Sequence, residues 1–305
     1  MNAKKTRYGI VIDSENCMSC YNCFMACRDE HCGFASKLSA PQPHEGQRWI
    51  DIRERERGDD SRLIKTASVP TPCSHCADPA CMRSAAPGAV YIRDDGIVII
   101  DPEKAIGQES IVSACPIGAV YWNDELKLPQ KCTMCAELLD EGFVQPRCVS
   151  ACPNGALLFG DLDDPDSEAS KRIAQSRVTQ LPGLSGQITN VVHVNIPAIF
   201  LAGSVCAPDD EVIEGAVVTL SDISKGAVYA SSKTARSESG AVHASKGDKR
   251  SVVTNCFGDW EFEWLETGVE YELTIEAPGY MPFKAAVIAD TDRYFGEVIL
   301  NKSGN

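Results

Sequence analysis

Cysteine is the residue type whose number and spacing in this chain point most directly to chemistry. The chain has fifteen cysteines in 305 residues, and thirteen of them precede residue 153. Disulfides, zinc sites and iron–sulfur clusters could each use so many thiols. Disulfide scaffolds are typically small secreted chains, whereas this chain is long and starts without the apolar segment of a secretory signal. The spacing of the cysteines then distinguishes between zinc sites and iron–sulfur clusters.

The first group of cysteines, Cys17, Cys20, Cys23 and Cys27, has the spacing C-x2-C-x2-C-x3-C. In bacterial ferredoxin loops of this spacing, three thiolates bind one four-iron cluster and the fourth ligates the other cluster of a pair. Zinc loops normally supply only two closely spaced cysteines, so the spacing favours iron–sulfur clusters. The later groups are Cys73, Cys76 and Cys81, then the lone Cys115, and then Cys132, Cys135, Cys148 and Cys152.

An internal repeat explains the lone cysteine. Residues 10–17 match residues 98–105 at a shift of 88 residues, and the same shift aligns Cys27 with Cys115. A second repeat relates residues 85–91, 115–121 and 152–157. These alignments leave four ligand positions that hold no cysteine, and we call them together the cysteine-free site: Ala85, Ala105, Gln108 and Ile111.

Pairing the four groups predicts which cysteines share a cluster. Only the nested pairing, first group with fourth and second with third, collects all four empty positions in a single site and leaves three sites complete. We name the complete sets as follows: the first quartet is Cys17, Cys20, Cys23 and Cys152, the second is Cys27, Cys132, Cys135 and Cys148, and the third is Cys73, Cys76, Cys81 and Cys115. The sequence therefore predicts three [4Fe–4S] clusters, with packing residues such as Ile111 and Ala85 filling the fourth site.

The elements around these groups predict an α+β fold for residues 1–160. Apolar strands precede cysteine loops, as at residues 8–12 and 96–100, and the loops lead into short helices. Two nested bis-cluster ferredoxin units are expected. Residues 161–198 are predicted to be a connector with a short helix over 167–178, and residues 199–305 an all-β sandwich or barrel of about seven strands with a mobile insertion at about 221–250.

Composition argues against several kinds of main partner. The formal net charge is −14 and the pI about 4.8, which disfavours nucleic acid and anionic membranes. The longest apolar run is too short to span a bilayer, so direct membrane insertion is not expected and a cytoplasmic location is predicted, unless a partner that carries a signal exports the chain.

The other cysteines and the histidines are not expected to be cluster ligands. Cys32, Cys206 and Cys256 are expected to be free thiols. His75, inside the second cysteine group, is expected to lie behind the ligands or to contact solvent rather than to bind iron. The histidines at 31, 44, 193 and 243 suggest no site. The charged stretch 48–57 is either a solvated face or a docking surface for a partner.

Residues 1–160 resemble the iron–sulfur subunits of molybdopterin oxidoreductases of the dimethyl-sulfoxide-reductase family, which use the same nested pairing. Within that family, Arg48-Trp49 and residues 95–98, 130–136 and 255–262 are similar to small subunits of transhydroxylases that act on polyphenols. Residues 214–220 and 277–280 resemble sandwiches of the carboxypeptidase-regulatory or transthyretin-like type.

This resemblance implies a large catalytic partner subunit, in a heterodimer or a multimer of heterodimers. The partner would carry molybdenum, or tungsten, bound by two molybdopterin guanine dinucleotides, and it would transfer or reductively remove a phenolic hydroxyl group. The catalytic residues would then lie on the partner and none on this chain.

Other functions remain open from the sequence. The chain could instead serve a respiratory molybdoenzyme, such as a formate dehydrogenase or a sulfur or nitrite reductase. As a different class of function, its clusters could hold the fold and dock the catalytic chain without redox work.

Overall fold

The computed structural model describes residues 6–60, 62–223, 235–236, 242–243 and 249–304. The chain folds into two compact units. The first contains the residues up to 55 together with 67–196, and the second contains 56–66 and the residues from 197 onward. Most of the insertion predicted at about 221–250, including the candidate strand at 227–230, lies outside the described residues.

The first unit is built from short elements. Its strands are β1 (Tyr8–Asp13), β4 (Val90–Ile92), β5 (Val98–Ile100), β6 (Tyr121–Asn123), β7 (Leu128–Gln130), β8 (Leu157–Asp161), β9 (Val178–Thr179) and β10 (Val191–Val194). Its helices are α1 (Asn22–His31), α2 (Ala80–Arg83), α3 (Ser110–Ser113), α4 (Ala136–Asp140), α5 (Arg147–Ser150) and α6 (Glu168–Gln175), with a 3-10 turn at Ser14–Asn16. The paired strands β2 (Ile50–Asp60) and β3 (Leu63–Pro72) contribute residues to both units.

A four-stranded sheet in the order β8-β1-β10-β9 supports the cysteine loops. Successive side chains of β1 point to opposite faces of the sheet, and other residues pack on both faces. Ile10 and Ile12 pack in the core that contains the cysteines, whereas Val11 packs with Ala169 of α6. Since β1 ends at Asp13 and β8 begins at Leu157, the sheet brings Cys17 and Cys152 to the same region.

One structural pattern recurs through this unit. Strands β1, β5 and β7 each lead into a loop of the cysteine repeat, and the short helices α2, α3 and α5 are each followed by a strand, β4, β6 and β8. Strands β4 and β5 pair with each other, as do β6 and β7. This succession of strand, loop and short helix is the α+β arrangement that the sequence predicts.

The segment 161–198, predicted to be a connector, supplies α6, β9 and β10 to the first unit. The predicted helix is present and begins after Ser167, whose side chain accepts a hydrogen bond from the Ser170 amide at 3.1 Å. Strand β10 pairs in parallel with β1, and Val191 and Val194 are buried. None of the helices in the described residues has the length and apolar character needed to cross a membrane.

The second unit consists mainly of strands. They are β11 (Ile199–Cys206), β12 (Val217–Asp222), β13 (Ala235–Arg236), β14 (Val242–His243), β15 (Arg250–Val253), β16 (Asp259–Leu265), β17 (Val269–Glu276), β18 (Phe283–Ala289) and β19 (Arg293–Ile299). One sheet has the order β16-β11-β19 and another has the order β15-β12-β17-β18. Leu201 and Phe262 from the first sheet share an apolar core with Leu220, Leu273 and Ile275 from the second. The described strands thus form two sheets with one common core and no closed barrel.

Candidate metal centres

The first quartet lines one cavity. Cys17 follows the 3-10 turn after β1, Cys23 lies on α1, and Cys152 follows α5. With Cys20, they line a cavity of about 330 Å³ that is open to solvent, and Met18, Ile52 and Pro153 complete its wall. Cys17 and Cys152, which are 135 residues apart in the sequence, therefore face the same space.

The third quartet lines a second cavity of about 370 Å³. Cys73 and Cys76 lie in the loop after β3, Cys81 lies on α2, and Cys115 follows α3. Val98, Val120 and Leu184 supply apolar walls. Thus the lone Cys115, 34 residues after Cys81 in the sequence, faces the same space as the three cysteines of the second group.

The second quartet is the most deeply buried, since all four of its thiols are buried. Burial raises the pKa of Cys27 far above its ordinary value, and the neighbouring Cys132, Cys135 and Cys148 raise it further. Cys23 and Cys27 are one helical turn apart on α1, yet they belong to different quartets. Helix α1 therefore links the first quartet to the second.

Burial and the charge of neighbouring thiolates oppose the ionisation of several cysteines in the quartets. Burial raises the pKa of Cys23 to about 12, with contributions from Cys17, Cys152 and Cys20. Burial likewise raises the pKa of Cys76 to about 11, with contributions from Cys73, Cys81 and Cys115. Only the thiolate binds a metal, so four thiolates can share such a site only with a metal cation between them. Within the described ranges no three His, Cys, Asp or Glu side chains are grouped to hold a single metal ion.

The cysteine loops share a left-handed backbone. In the first C-x2-C pair of each loop, the residue before the second cysteine has a positive φ, which is 55° at Ser19, 45° at His75 and 56° at Met134. This conformation is uncommon for residues other than glycine and is frequent at functional sites. In two of these loops the same residue donates its amide to the first cysteine sulfur, from His75 to Cys73 at 3.5 Å and from Met134 to Cys132 at 3.3 Å. Amide donation to the sulfurs favours the thiolate form that iron requires.

His75 provides a further test of whether a cluster fits. Its side chain is fully buried, which excludes the contact with solvent that the sequence left open. Its Nδ1 accepts a hydrogen bond from the Val98 amide at 3.0 Å, so the proton of the neutral ring is on Nε2. That Nε2 finds no partner among the described residues. A buried donor of this kind is costly unless an acceptor is supplied, and the sulfur of an iron–sulfur cluster is such an acceptor.

The cysteine-free site is packed instead of open. Ala105 and Ile111 are fully buried in an apolar cluster with Val90, Val98 and Ile100, and Ala85 packs against the same cluster. The Gln108 side chain accepts a hydrogen bond from the Ala86 amide at 2.7 Å and donates to the Lys104 carbonyl at 2.6 Å. The four positions that lack cysteine therefore meet in one packed region, held by apolar contacts and one bridging amide.

One histidine beside the quartets was not predicted from the sequence. His31, expected to be a scattered residue without a site, is buried with its Nε2 3.6 Å from the Cys135 sulfur. It lies four residues after Cys27 on α1, and residues at that spacing share a helix face. The spacing of four residues between Cys27 and His31 could have indicated from the sequence that His31 lies near the cysteines. The sequence did not predict this contact with Cys135, because the contact depends on how α1 meets the loop at 132–135.

The three remaining cysteines lie apart from the quartets. Cys206 ends β11, Cys256 follows β15 and is exposed, and none of the fifteen cysteines forms a disulfide. Cys32 follows α1, and its sulfur is 3.4 Å from His44 Nδ1.

Cysteine loops of ferredoxin spacing on an α+β unit define an iron–sulfur protein, and the comparisons with known proteins agree. The family described as a 4Fe-4S dicluster domain matches residues 64–162. The pyrogallol hydroxytransferase small subunit of Pelobacter acidigallici is 33% identical over 292 residues, which cover 93% of this chain and 96% of that protein. The chain belongs to the iron–sulfur electron-transfer subunits of molybdopterin oxidoreductases of the dimethyl-sulfoxide-reductase family.

Other relatives match a smaller part of the chain. A sulfite dehydrogenase subunit of Allochromatium vinosum is 34% identical over 58% of this chain and 78% of that protein. A tetrathionate reductase subunit of Salmonella typhimurium is 30% identical over 64% of this chain and 75% of that protein. Among solved structures, a shaft pilin of Lactobacillus rhamnosus GG has a TM-score of 0.26 at 12% identity and covers 38% of this chain and 54% of that one. A likeness at that level carries no argument about fold or function.

Proposed function

We propose that this chain holds three [4Fe–4S] clusters, one in each cysteine quartet, and relays electrons for a large molybdenum subunit that acts on hydroxylated aromatic compounds. The observation that carries the proposal is the grouping of the cysteines: the first and third quartets each line one cavity, and the thiols of the second quartet are buried close enough to raise the pKa of Cys27. The fourth set of equivalent positions has no sulfur and is packed. The nested arrangement of two ferredoxin-like units is part of this proposal.

The residues of the chain would do the following work. When bound, such clusters accept and release single electrons, at potentials set by cluster type, hydrogen bonds to sulfur and solvent exposure. The loops after β1, β3 and β7 supply the thiolates and amide donors. Apolar side chains such as Val98, Val120 and Leu184 exclude water from the third quartet. The second quartet, with all four members buried, is the best shielded.

The proposed partner and substrate rest on the Pelobacter relative. That protein is matched over nearly its whole length, including the part that corresponds to the second unit, whereas the sulfite and tetrathionate proteins are matched over about three fifths of this chain. A hydroxytransferase or a reductive dehydroxylase of phenolic rings is therefore the favoured partner. Its molybdenum or tungsten, bound by two molybdopterin guanine dinucleotides, and its catalytic residues would lie on the partner subunit.

The first experiment is elemental analysis of the native complex, purified without oxygen through a tag on this chain. We expect about twelve iron atoms per copy, from three four-iron clusters, together with molybdenum or tungsten. Iron near sixteen would contradict the packed fourth site. Iron near twelve without molybdenum or tungsten would contradict the partner, and zinc in place of iron would overturn the proposal as a whole.

A matched pair of variants tests the ligand assignment. Cys152→Ala removes a member of the first quartet, so about four iron atoms should be lost. Cys206→Ala removes a buried thiol outside the quartets and should leave the iron content unchanged. Equal iron in the two variants would contradict the assignment of Cys152.

The second candidate function, a subunit of a respiratory molybdoenzyme, is favoured by the similarity to the sulfite and tetrathionate proteins. The purified complex should then transfer electrons to quinones and show no activity on polyphenols.

A docking role without redox work predicts clusters that dithionite does not reduce. Reduction by dithionite together with activity on a polyphenol supports the first proposal over both.

A further inference from the structure

The buried His31 and the largely buried Glu137 form a polar pair beside the second quartet. Nε2 of His31 lies 3.6 Å from the sulfur of Cys135, and Nδ1 lies 3.3 Å from Oε1 of Glu137. The side chains of His31 and Glu137 are only 4% and 12% exposed. Thr133 also donates its hydroxyl to Oε2 of Glu137 at 3.1 Å. A chain of polar contacts therefore runs from Thr133 through Glu137 and His31 to a proposed iron ligand.

The surroundings hold the imidazole in place. The ring of His31 packs against Trp49 with centroids 4.8 Å apart. The Trp49 indole in turn donates to Oε1 of Gln47 at 2.8 Å, and the Gln47 amide donates to Gln130 at 3.1 Å. Because His31 ends α1 and Cys27 lies on the same helix face, one helix supplies both a ligand of the second quartet and the histidine beside another ligand.

The direction of the hydrogen bond follows from the chemistry of the sulfur. A cysteine that binds iron has lost its proton and can only accept a hydrogen bond. Nε2 of His31 must therefore carry a proton when the ligand is in place, and Nδ1 then needs the proton shared with Glu137. The 3.3 Å contact between Nδ1 and Oε1 of Glu137 gives the second ring nitrogen its own hydrogen-bond partner and fixes the orientation of the ring.

We propose that His31, oriented by Glu137, donates a hydrogen bond to the sulfur of Cys135 and thereby raises the reduction potential at the second quartet above the value that burial alone would give. This inference rests on the proposed function, because it assumes that the quartet holds a cluster. Reduction adds one electron to a group whose sulfur ligands already carry negative charge. A donor to such a sulfur stabilises the reduced form more than the oxidised form, and hydrogen bonds to sulfur are a recognised means of setting these potentials. His31 is a positioning residue for electron storage rather than a ligand.

The test is a redox titration of the complete complex, followed by electron paramagnetic resonance of each cluster signal. His31→Phe keeps an aromatic ring against Trp49 but removes the donor. We expect the equilibrium constant for one-electron reduction of one cluster to fall about tenfold, which is about 59 mV. The other two signals should keep their potentials.

Changes at Glu137 separate the relay from simple packing. In Glu137→Gln the amide can still donate to Nδ1 and keep the proton on Nε2, so the potential should stay near that of the parent complex. In Glu137→Met the ring loses the partner that orients it through Nδ1, and the potential should fall toward that of His31→Phe. His44→Phe changes a histidine that contacts Cys32 outside the quartets and should shift no cluster.

The iron content of each variant keeps the two proposals distinguishable. If the parent complex lacks three reducible clusters, the proposed function fails and the question about His31 does not arise. If twelve iron atoms and three signals are present but His31→Phe shifts no potential, or shifts all three equally, the inference about His31 is overturned. Equal potentials in Glu137→Gln and Glu137→Met would overturn the role of Glu137.

Discussion

At the scale of single residues, Lys131 is a buried cation beside two of the cysteine quartets. Its ammonium donates to the carbonyls of Val98 and Cys132, and among the described residues no carboxylate pairs with it. Its positive charge opposes the effect of burial on the pKa of both Cys81 and Cys132. A buried charge needs a counter-charge, and anionic clusters in the second and third quartets would provide one.

Replacing this lysine should change cluster potentials. Lys131→Gln keeps a donor for the carbonyls but removes the charge, so the potentials at the second and third quartets should fall. A unit charge at about 10 Å in an effective dielectric of about 20 corresponds to roughly 1.7 kcal/mol, or about 70 mV for one electron. Redox titration of the complex measures this shift. Lys104→Gln, at a side chain that is 62% exposed, is the control, and equal potentials in the two variants would contradict the role of Lys131.

At the scale of elements, helix α3 and the loop before it show how a repeat can lose its ligands and keep its fold. Ile111 of α3 occupies a position that the repeat aligns with Cys23, and it is fully buried beside Ala105. Apolar packing at this position thus takes over the structural contribution that metal ligation would make.

Shortening that side chain should leave a cavity. Ile111→Ala is expected to destabilise the first unit by about 2–4 kcal/mol, within the range for such truncations, without loss of iron from the purified complex. The measurement is the denaturant midpoint for loss of cluster absorbance under argon. Ile106→Ala, at a side chain that is 59% exposed, should leave the midpoint nearly unchanged. A midpoint for Ile111→Ala equal to that of the parent would contradict the packed site.

At the scale of the whole molecule, each of the two units has its own core. A substitution that destabilises one unit should therefore leave the other unit folded. Arg57, in the 56–66 segment that belongs to the second unit, is a buried residue of that unit. It forms ion pairs with Asp292 at 2.9 Å and Glu263 at 3.3 Å and packs over the Phe200 ring at 5.2 Å. Removal of one partner from a buried ion pair leaves the other charges uncompensated.

Arg57→Met should therefore destabilise the second unit by about 3–5 kcal/mol while the iron content stays near that of the parent. Unfolding followed by the fluorescence of Trp260 and Trp264 measures the first effect, and iron analysis measures the second. Arg293→Met, at a side chain that is 38% exposed with two ion pairs, should cost less than about 1 kcal/mol. Loss of iron in Arg57→Met would show that the two units are not independent.

The sequence predicted those features that depend on local spacing or on the repeat. The quartets stay a prediction from the cysteine spacing and the repeat, whereas strands such as β11, β16 and β17 lie within residues 199–305, where the sequence predicts an all-β region. The parallel pairing of β10 with β1 was not predicted, because those strands are about 180 residues apart and no local pattern specifies the partner. His31 was missed for the same reason, since its role arises from a contact between α1 and a loop about 100 residues away.

Gly107 occupies the position in the cysteine-free loop that Ser19, His75 and Met134 occupy in the other three. All four have a positive φ, and that of Gly107 is 78°. For an L-residue the left-handed conformation costs roughly 1–2 kcal/mol, whereas glycine adopts it freely. Where iron is proposed to tie a loop down, the metal bonds can hold an ordinary residue in this shape. In the cysteine-free loop, where no iron ligand remains, Gly107 keeps the same left-handed backbone without any metal bond. Metal coordination in three loops and a glycine in the fourth would thus stabilise the same turn.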